Sequence, residues 1–151
     1  GPKGHFITGP EISQLFGELV GIWILQLCKE NNFHNINLLE LGPGKGTLMK
    51  DILRIFSQKK ETIKIKVHLL EFSKALKSYQ KENLKNYCHE LKWYENIFKI
   101  KEHLNNDPII IISNEFFDCL PINQYKFYKT KNMYTKHPYV YRKKKIYTII
   151  L

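Results

Sequence analysis

Cysteine is scarce and unpatterned: Cys28, Cys88 and Cys119 stand far apart, with no C-x-x-C pair, and the six histidines form no H-x-x-x-H spacing. That excludes a disulfide scaffold and a zinc-type ligand set, leaves metal catalysis without candidates, and suits a reducing compartment. Long apolar runs are also missing. The longest, around Leu19 to Leu25, falls short of the roughly 18 residues a membrane span requires, and it lies inside an amphipathic pattern. There is no charged-then-apolar leader, and the first residue is Gly1 instead of methionine, so the expectation is that something upstream has been removed or left out.

Acidic residues are absent from position 119 onward, where eight Lys/Arg stand alone. The preceding residues carry sixteen basic against all fourteen acidic side chains, so most of the net charge of +10 belongs to the tail. A basic tail attracts nucleic acid or anionic surfaces. However, the sequence has no RNA-recognition, helix-turn-helix or zinc signature. General over-use of Lys, Ile, Asn and Tyr, as in an AT-rich coding sequence, is the simpler source of the charge. What remains is an ordinary globular composition: 151 residues, 43% hydrophobic and 25% charged, about one domain.

Thr8-Gly9-Pro10-Glu11 has the spacing of a capping box. Behind it Ile12, Leu15, Phe16, Leu19, Ile22, Trp23 and Leu27 recur three and four apart, which predicts a helix over 10–29 with Phe16 and Trp23 packed in the core. Asn37 to Leu41 reads as a buried strand entering the loop Gly42-Pro43-Gly44-Lys45-Gly46. Helical spacing follows through Leu48, Ile52, Ile55 and Phe56. A second strand is expected over Ile63 to Leu70, and a helix over 73–88 through Ala75, Leu76, Tyr79 and Leu84. A weak third strand falls near Leu91 to Tyr94 and a helix over 97–104. The clearest strand is Ile109 to Ile112. This alternation predicts a parallel sheet covered by helices.

Three cofactor classes use glycine loops, and the spacing separates them. A P-loop needs Gly-Lys-Ser/Thr, whereas Lys45 precedes Gly46; a dinucleotide fingerprint needs a third glycine where Thr47 stands. The sequence instead reads E-x-G-x-G-x-G over Glu40 to Gly46. That version suits S-adenosylmethionine, with Glu40 facing its ammonium and backbone N–H groups of Gly42, Gly44 and Gly46 facing its carboxylate. Glu71, closing the second strand, is placed to accept ribose hydroxyls.

Gly4-His5-Phe6-Ile7-Thr8-Gly9-Pro10-Glu11 and the residues up to Glu18 resemble the opening of the MidA-like S-adenosylmethionine-dependent methyltransferases. Leu39 to Met49 resembles that family's cofactor loop, Trp93-Tyr94 an intervening aromatic pair, and Asn114 to Pro121 its signature after strand four. The resemblance implies a Rossmann-like α/β sheet of the class I methyltransferase type, incomplete after strand four, with an N-terminal helical segment. It implies cofactor contacts from Trp93, Asn96 and Asn114, with Glu11, Gln14 and Glu18 near the pocket. It implies arginine side chains of protein as the acceptor, complex I assembly as the setting, and location in the cytoplasm if bacterial or the mitochondrial matrix if eukaryotic. Glu115 and Asp118, three apart, then either clamp the acceptor guanidinium from one helical turn or complement a helix dipole beneath an Asn114 cap.

His5 stands where the family has Asp. Residues 129–151 read as unlike the family, so a truncated or split reading frame is expected. The expected organisation is a helical cap over 1–30, the first half of a cofactor domain over 31–125 and a basic divergent tail over 126–151. In that case Gln124–Tyr128, Tyr139–Tyr141 and Ile146–Leu151 alone could cover the edge of strand four. The alternative reading is an inactive fragment that retains cofactor or partner binding.

Overall fold

The computed structural model describes residues 14–59, 62–87, 90–104, 106–120, 124–130 and 133–139. Its elements run α1 (Gln14–Glu30), β1 (Asn35–Leu41), α2 (Thr47–Gln58), β2 (Lys64–Leu70), α3 (Lys74–Leu84), β3 (Glu90–Tyr94), a single turn α4 (Ile97–Ile100) continued by a 3-10 turn, and β4 (Ile109–Ser113). After these come a 3-10 turn (Phe117–Cys119) and the strands β5 (Gln124–Thr130) and β6 (Met133–Tyr139). The chain divides into two compact units, Gly1–Asn114 and Glu115–Leu151.

The first unit is the expected parallel α/β sheet, in the order β3-β2-β1-β4. All three pairings are parallel, with Asn35 opposite Lys64, Lys66 opposite Glu90 and Asn37 opposite Ile109. β1 is central, and its last six residues are all buried. That explains its unbroken apolar character, since a strand covered on both faces has no polar side to alternate with. Ile36, Leu38, Val67, Leu69 and Ile110 form a core with Ile24, Leu25, Leu48, Met49, Ile52 and Phe56 of α1 and α2.

On the strands, Asn37, His68 and Tyr94 share a buried hydrogen-bonded line across β1, β2 and β3. Asn37 Nδ2 donates to the Asp107 carbonyl at 3.2 Å, so its Oδ1 accepts from His68 Nε2 at 3.1 Å. His68 Nδ1 then accepts from the Tyr94 hydroxyl at 2.9 Å. A single neutral tautomer satisfies every member. Burial first, then the charges of Lys92, His103 and Lys66 against the weaker pull of Glu90, lowers the His68 pKa.

α1 departs from expectation. The helix described begins at Gln14, and Thr8 to Glu11 lie outside the described residues. The face turned to the core is not the aromatic one. Trp23 is 61% and Phe16 40% exposed, with Leu15, Leu19 and Ile22 also exposed, whereas Gly17, Gly21, Ile24, Leu25 and Cys28 are buried. Two glycines four apart let α1 approach α2 nearly backbone to backbone. A Cβ on Gly17 would stand 2.5 Å from the Asp51 Cβ, and one on Gly21 would stand 3.1 Å from the Ile52 Cα. Arg54 locks the seam, reaching Glu18 at 2.8 Å and Asp51 at 3.1 Å. Burial raises the Asp51 pKa, opposed by Arg54 and Lys50.

In α3 the buried residues are Gln80 and Leu84, while Ala75 and Tyr79 are exposed, so the expected apolar face there is rotated. The region over 97–104 is only a four-residue helix and a 3-10 turn. In the second unit β5 and β6 pair antiparallel with each other as a two-stranded sheet. Residues 140–151 lie outside the described residues, and with them Ile146–Leu151 and all of Tyr139–Tyr141 but Tyr139, which ends β6. Among those described, no helix is long and apolar enough to cross a membrane.

Gly17→Ala should lower stability to urea unfolding by about 1–3 kcal/mol, because overpacking outweighs the roughly 1 kcal/mol that alanine gains in helix propensity. Trp23→Ala should stay within about 0.5 kcal/mol, as an exposed position does. Equal losses for the two would contradict the glycine seam.

Candidate functional site

The carboxyl ends of β1 and β2 converge on the glycine loop. Gly42, Gly44 and Gly46 all take positive φ, at 65°, 55° and 79°, where a side chain would be strained. Gly42 N–H donates to the Leu70 carbonyl at 3.2 Å and Gly46 N–H to the Pro43 carbonyl at 2.8 Å, which folds the loop back on itself. α2 starts immediately after it, with Gly46 as N-cap and no side-chain cap bond. The positive end of a twelve-residue helix therefore opens on the loop. A Cβ on Gly44 would meet nothing within 4 Å, so the loop borders open space there.

Glu71 follows β2, buried at 8% exposure. Its Oε1 accepts from the Ser73 N–H at 2.8 Å, and its Oε2 from Gln80 Nε2 at 3.1 Å. Gln80 also donates to the Gly44 carbonyl at 2.7 Å and accepts from Trp93 Nε1 at 2.8 Å. Asn83, one turn later, donates to the Lys45 carbonyl at 2.9 Å. Glycine loop, Glu71 and Trp93 are thus brought together through α3. Sequence reasoning named those three and missed Gln80 and Asn83. The available signal was Leu76, Gln80 and Leu84 at fourfold spacing, a polar residue inside an inward stripe.

Glu40 is 3% exposed, and its Oε2 has no hydrogen-bond partner among the described residues. Desolvation pushes its pKa up to about 8. A buried carboxyl with an unmet oxygen is rare and expensive.

The other expected residues are distributed less tightly. Asn96 is exposed and caps α4, with its Oδ1 accepting from the Phe98 N–H at 2.9 Å. With Trp93, Tyr94, Lys77, Lys92, Lys99 and His103 it lines a cleft of about 370 Å³ at the end of β3. Asn114 ends the first unit, half-buried, and caps no helix: the following 3-10 turn has Phe116 as N-cap with no side-chain bond. Glu115 and Asp118 do not share a helical turn. Glu115 has φ 52°, outside helical space, and only Asp118 lies within the 3-10 turn; both are exposed. The sequence Asn-Glu-Phe-Phe-Asp lacks a run long enough to propagate a helix, which explains the difference. Gln14 donates to Glu18, and Glu18 is engaged by Arg54 in the α1–α2 seam. Glu11 lies outside the described residues. No group of three or more His, Cys, Asp or Glu converges as a metal site among the described residues.

Residues 19–146 match the model of a family described as "Putative S-adenosyl-L-methionine-dependent methyltransferase". The match continues well past residue 129, which corrects the expectation that the likeness ends there. The Lys/Tyr-rich composition obscured two strands, Gln124–Thr130 and Met133–Tyr139. Curated relatives include "Protein arginine methyltransferase NDUFAF7, mitochondrial" from Danio rerio, 37% identical over 87% of this chain and 35% of its own length. The proteins of the same name from Mus musculus and Homo sapiens are 37% and 36% identical, each over 86% of this chain and 34% of their own length. The chain spans about a third of the length of these relatives. Among solved structures, a superfamily member from Burkholderia thailandensis bound to S-adenosyl-homocysteine has a TM-score of 0.63 at 16% identity. It covers 89% of this chain and 37% of its own. A native structure from the same organism gives 0.60 at 17% identity, over 90% of this chain and 38% of its own. These two share the fold.

Glu40 makes ligand-free stability depend on pH with a definite sign. Its folded pKa lies above the unfolded value, so its contribution is complete below about pH 4.5 and is lost as pH rises toward about 8. The loss is on the order of a few kcal/mol. His68, with a folded pKa below 6.5, acts oppositely, and its contribution disappears as pH falls below that value. Urea titrations of the ligand-free chain between pH 5 and 9 should show stability declining on the alkaline side, and Glu40→Gln should flatten that limb. An unchanged limb in Glu40→Gln would show that Glu40 is already satisfied.

Proposed function

The chain belongs to this family of S-adenosyl-L-methionine-dependent methyltransferases, and we propose that it holds that cofactor at the carboxyl edge of β1 and β2 for methyl transfer to protein arginine. The observation that carries the reading is the unpartnered, buried Glu40 oxygen beside a loop that is open over Gly44. An ammonium supplies the missing donor, and its charge favours ionised Glu40. The N-terminal turn of α2 suits a carboxylate, and Glu71, with lone pairs remaining on both oxygens, suits the two hydroxyls of a ribose. Trp93, Asn96 and Asn114 complete the proposed contacts. The residues present fit the group.

When bound, the cofactor supplies an electrophilic methyl on a sulfonium. Positioning then dominates, so no nucleophilic serine or cysteine is needed. Arginine carries its charge at any biological pH, and a methylated nitrogen must release a proton. Glu115 and Asp118 are the carboxylates we assign to hold the guanidinium and receive that proton. Support for the acceptor comes from the relatives named as protein arginine methyltransferases. Their printed location also supports the mitochondrion for a eukaryotic source, and complex I assembly is the proposed setting.

Calorimetry with S-adenosylhomocysteine tests the cofactor site. At pH 7, in buffers of different ionisation enthalpy, binding should release nearly one proton, since Glu40 changes from mostly protonated to ionised, and Glu40→Gln should abolish the release. Glu71→Ala should weaken binding by about 1.5–3 kcal/mol, the range for hydrogen bonds to a charged group. Binding without proton release would remove Glu40 from the site. Labelled methyl transfer to arginine-containing proteins then separates an enzyme from a chain that only binds.

A further inference from the structure

Gln80 is a fully buried amide that satisfies three different elements at once. Its two N–H groups go to the Gly44 carbonyl at 2.7 Å and Glu71 Oε2 at 3.1 Å, and its oxygen accepts from Trp93 Nε1 at 2.8 Å. The orientation of the amide is dictated. Flipped, its oxygen would face a carbonyl and a carboxylate, and its NH2 would face an indole N–H. Gly46 allows the approach, since a Cβ there would lie 3.3 Å from Gln80 Cγ. α3 carries a second anchor on the same loop, the bond from Asn83 to the Lys45 carbonyl. The helix is fixed in turn by Ser73, whose hydroxyl caps Leu76 N–H and whose own N–H holds the other oxygen of Glu71.

From this geometry we infer that Gln80 is the positioning residue of the cofactor pocket. It sets the plane of the Glu71 carboxylate, the height of the Gly44 carbonyl and the placement of the Trp93 indole together, so that three contacts contributed by separate elements are preorganised by one side chain. The inference rests on the cofactor reading above. A preorganised donor set spares a ligand the ordering of those groups on binding, which is where such a residue acts. Trp93 also reports the state of the hub, because its indole N–H bond and the loop bond belong to the same amide.

The test uses a Trp23→Phe background, leaving Trp93 as the one remaining tryptophan of the two in the chain. Into it go Gln80→Met, Gln80→Glu and Asn83→Ala, with S-adenosylhomocysteine affinity by calorimetry, Trp93 emission and thermal melts as readouts. Gln80→Met matches the volume and removes all three bonds; affinity should fall by about tenfold or more and ligand-free Trp93 emission should shift. Gln80→Glu keeps an acceptor for the indole but loses both donors and sets a second carboxylate beside Glu71. Emission should stay near that of the background chain while affinity falls at least as far as in Gln80→Met. That split is what a purely structural role would not produce. Asn83 is half-buried and makes a single bond to the loop, so Asn83→Ala should fold and bind about threefold to tenfold more weakly, as loss of one hydrogen bond predicts.

Folded Gln80→Met and Gln80→Glu proteins binding within about twofold of the background would overturn the inference. If Gln80→Met fails to fold, the other two variants decide it: unchanged affinity in both overturns it. A background chain that binds no S-adenosylhomocysteine, with Trp93 emission and melts normal, refutes the cofactor reading itself and this inference with it.

Discussion

Everything in the first unit is arranged around a central strand that carries two polar side chains where neither can reach water. β1 is buried on both faces, yet it includes Asn37 and Glu40. An unpartnered polar group in such a place costs on the order of 1–3 kcal/mol or more, so each requires an answer. The two answers differ. Asn37 is satisfied within the protein by His68 and the Asp107 carbonyl, and His68 in turn by Tyr94, which links β1, β2, β3 and the segment entering β4. Glu40 is left open at the edge where the glycine loop, α2 and Glu71 meet. One buried polar residue is answered inside the sheet; the other, three residues along the strand, keeps an oxygen unmet among the described residues.

The parallel sheet was legible because its strands are short apolar runs bounded by turn residues, and the glycine loop because its spacing excludes two of the three cofactor classes. Thr47 to Phe56 gave a correct buried face since its apolar residues lie on one side. The face of α1 could not be read the same way. It is apolar nearly all round, and the choice of face is made by Gly17 and Gly21, which contribute almost nothing to hydropathy and everything to how closely two backbones approach. Gln80 escaped for a related reason. Its role comes from bonds to a backbone carbonyl, a carboxylate and an indole on three other elements, and no local pattern encodes such a convergence.

The second unit illustrates a third limit. Composition in Gln124–Tyr139 points to a solvated basic tail, while the backbone forms two paired antiparallel strands rich in the β-favouring residues Tyr, Phe and Thr. Charge counted over a segment says nothing of that propensity. In Asn114 to Asp118 the opposite happened: a spacing of three suggested a shared helical face, but a left-handed residue at Glu115 interrupts the turn before the face can form.

The register of the sheet also orders events in time. β1 meets β2 across 29 residues and β2 meets β3 across 24, whereas β1 meets β4 across 72. Closing the longer loop costs only about 0.8 kcal/mol more in chain entropy than closing the 29-residue one, but that cost falls before any contact offsets it. β4 is therefore the strand expected to join last. Asn37 receives it at both backbone and side chain, its N–H donating to the Pro108 carbonyl at 2.8 Å and its amide to that of Asp107. A residue that looks like a static strut in the finished fold is also the checkpoint at which a late, distant strand is accepted in one register.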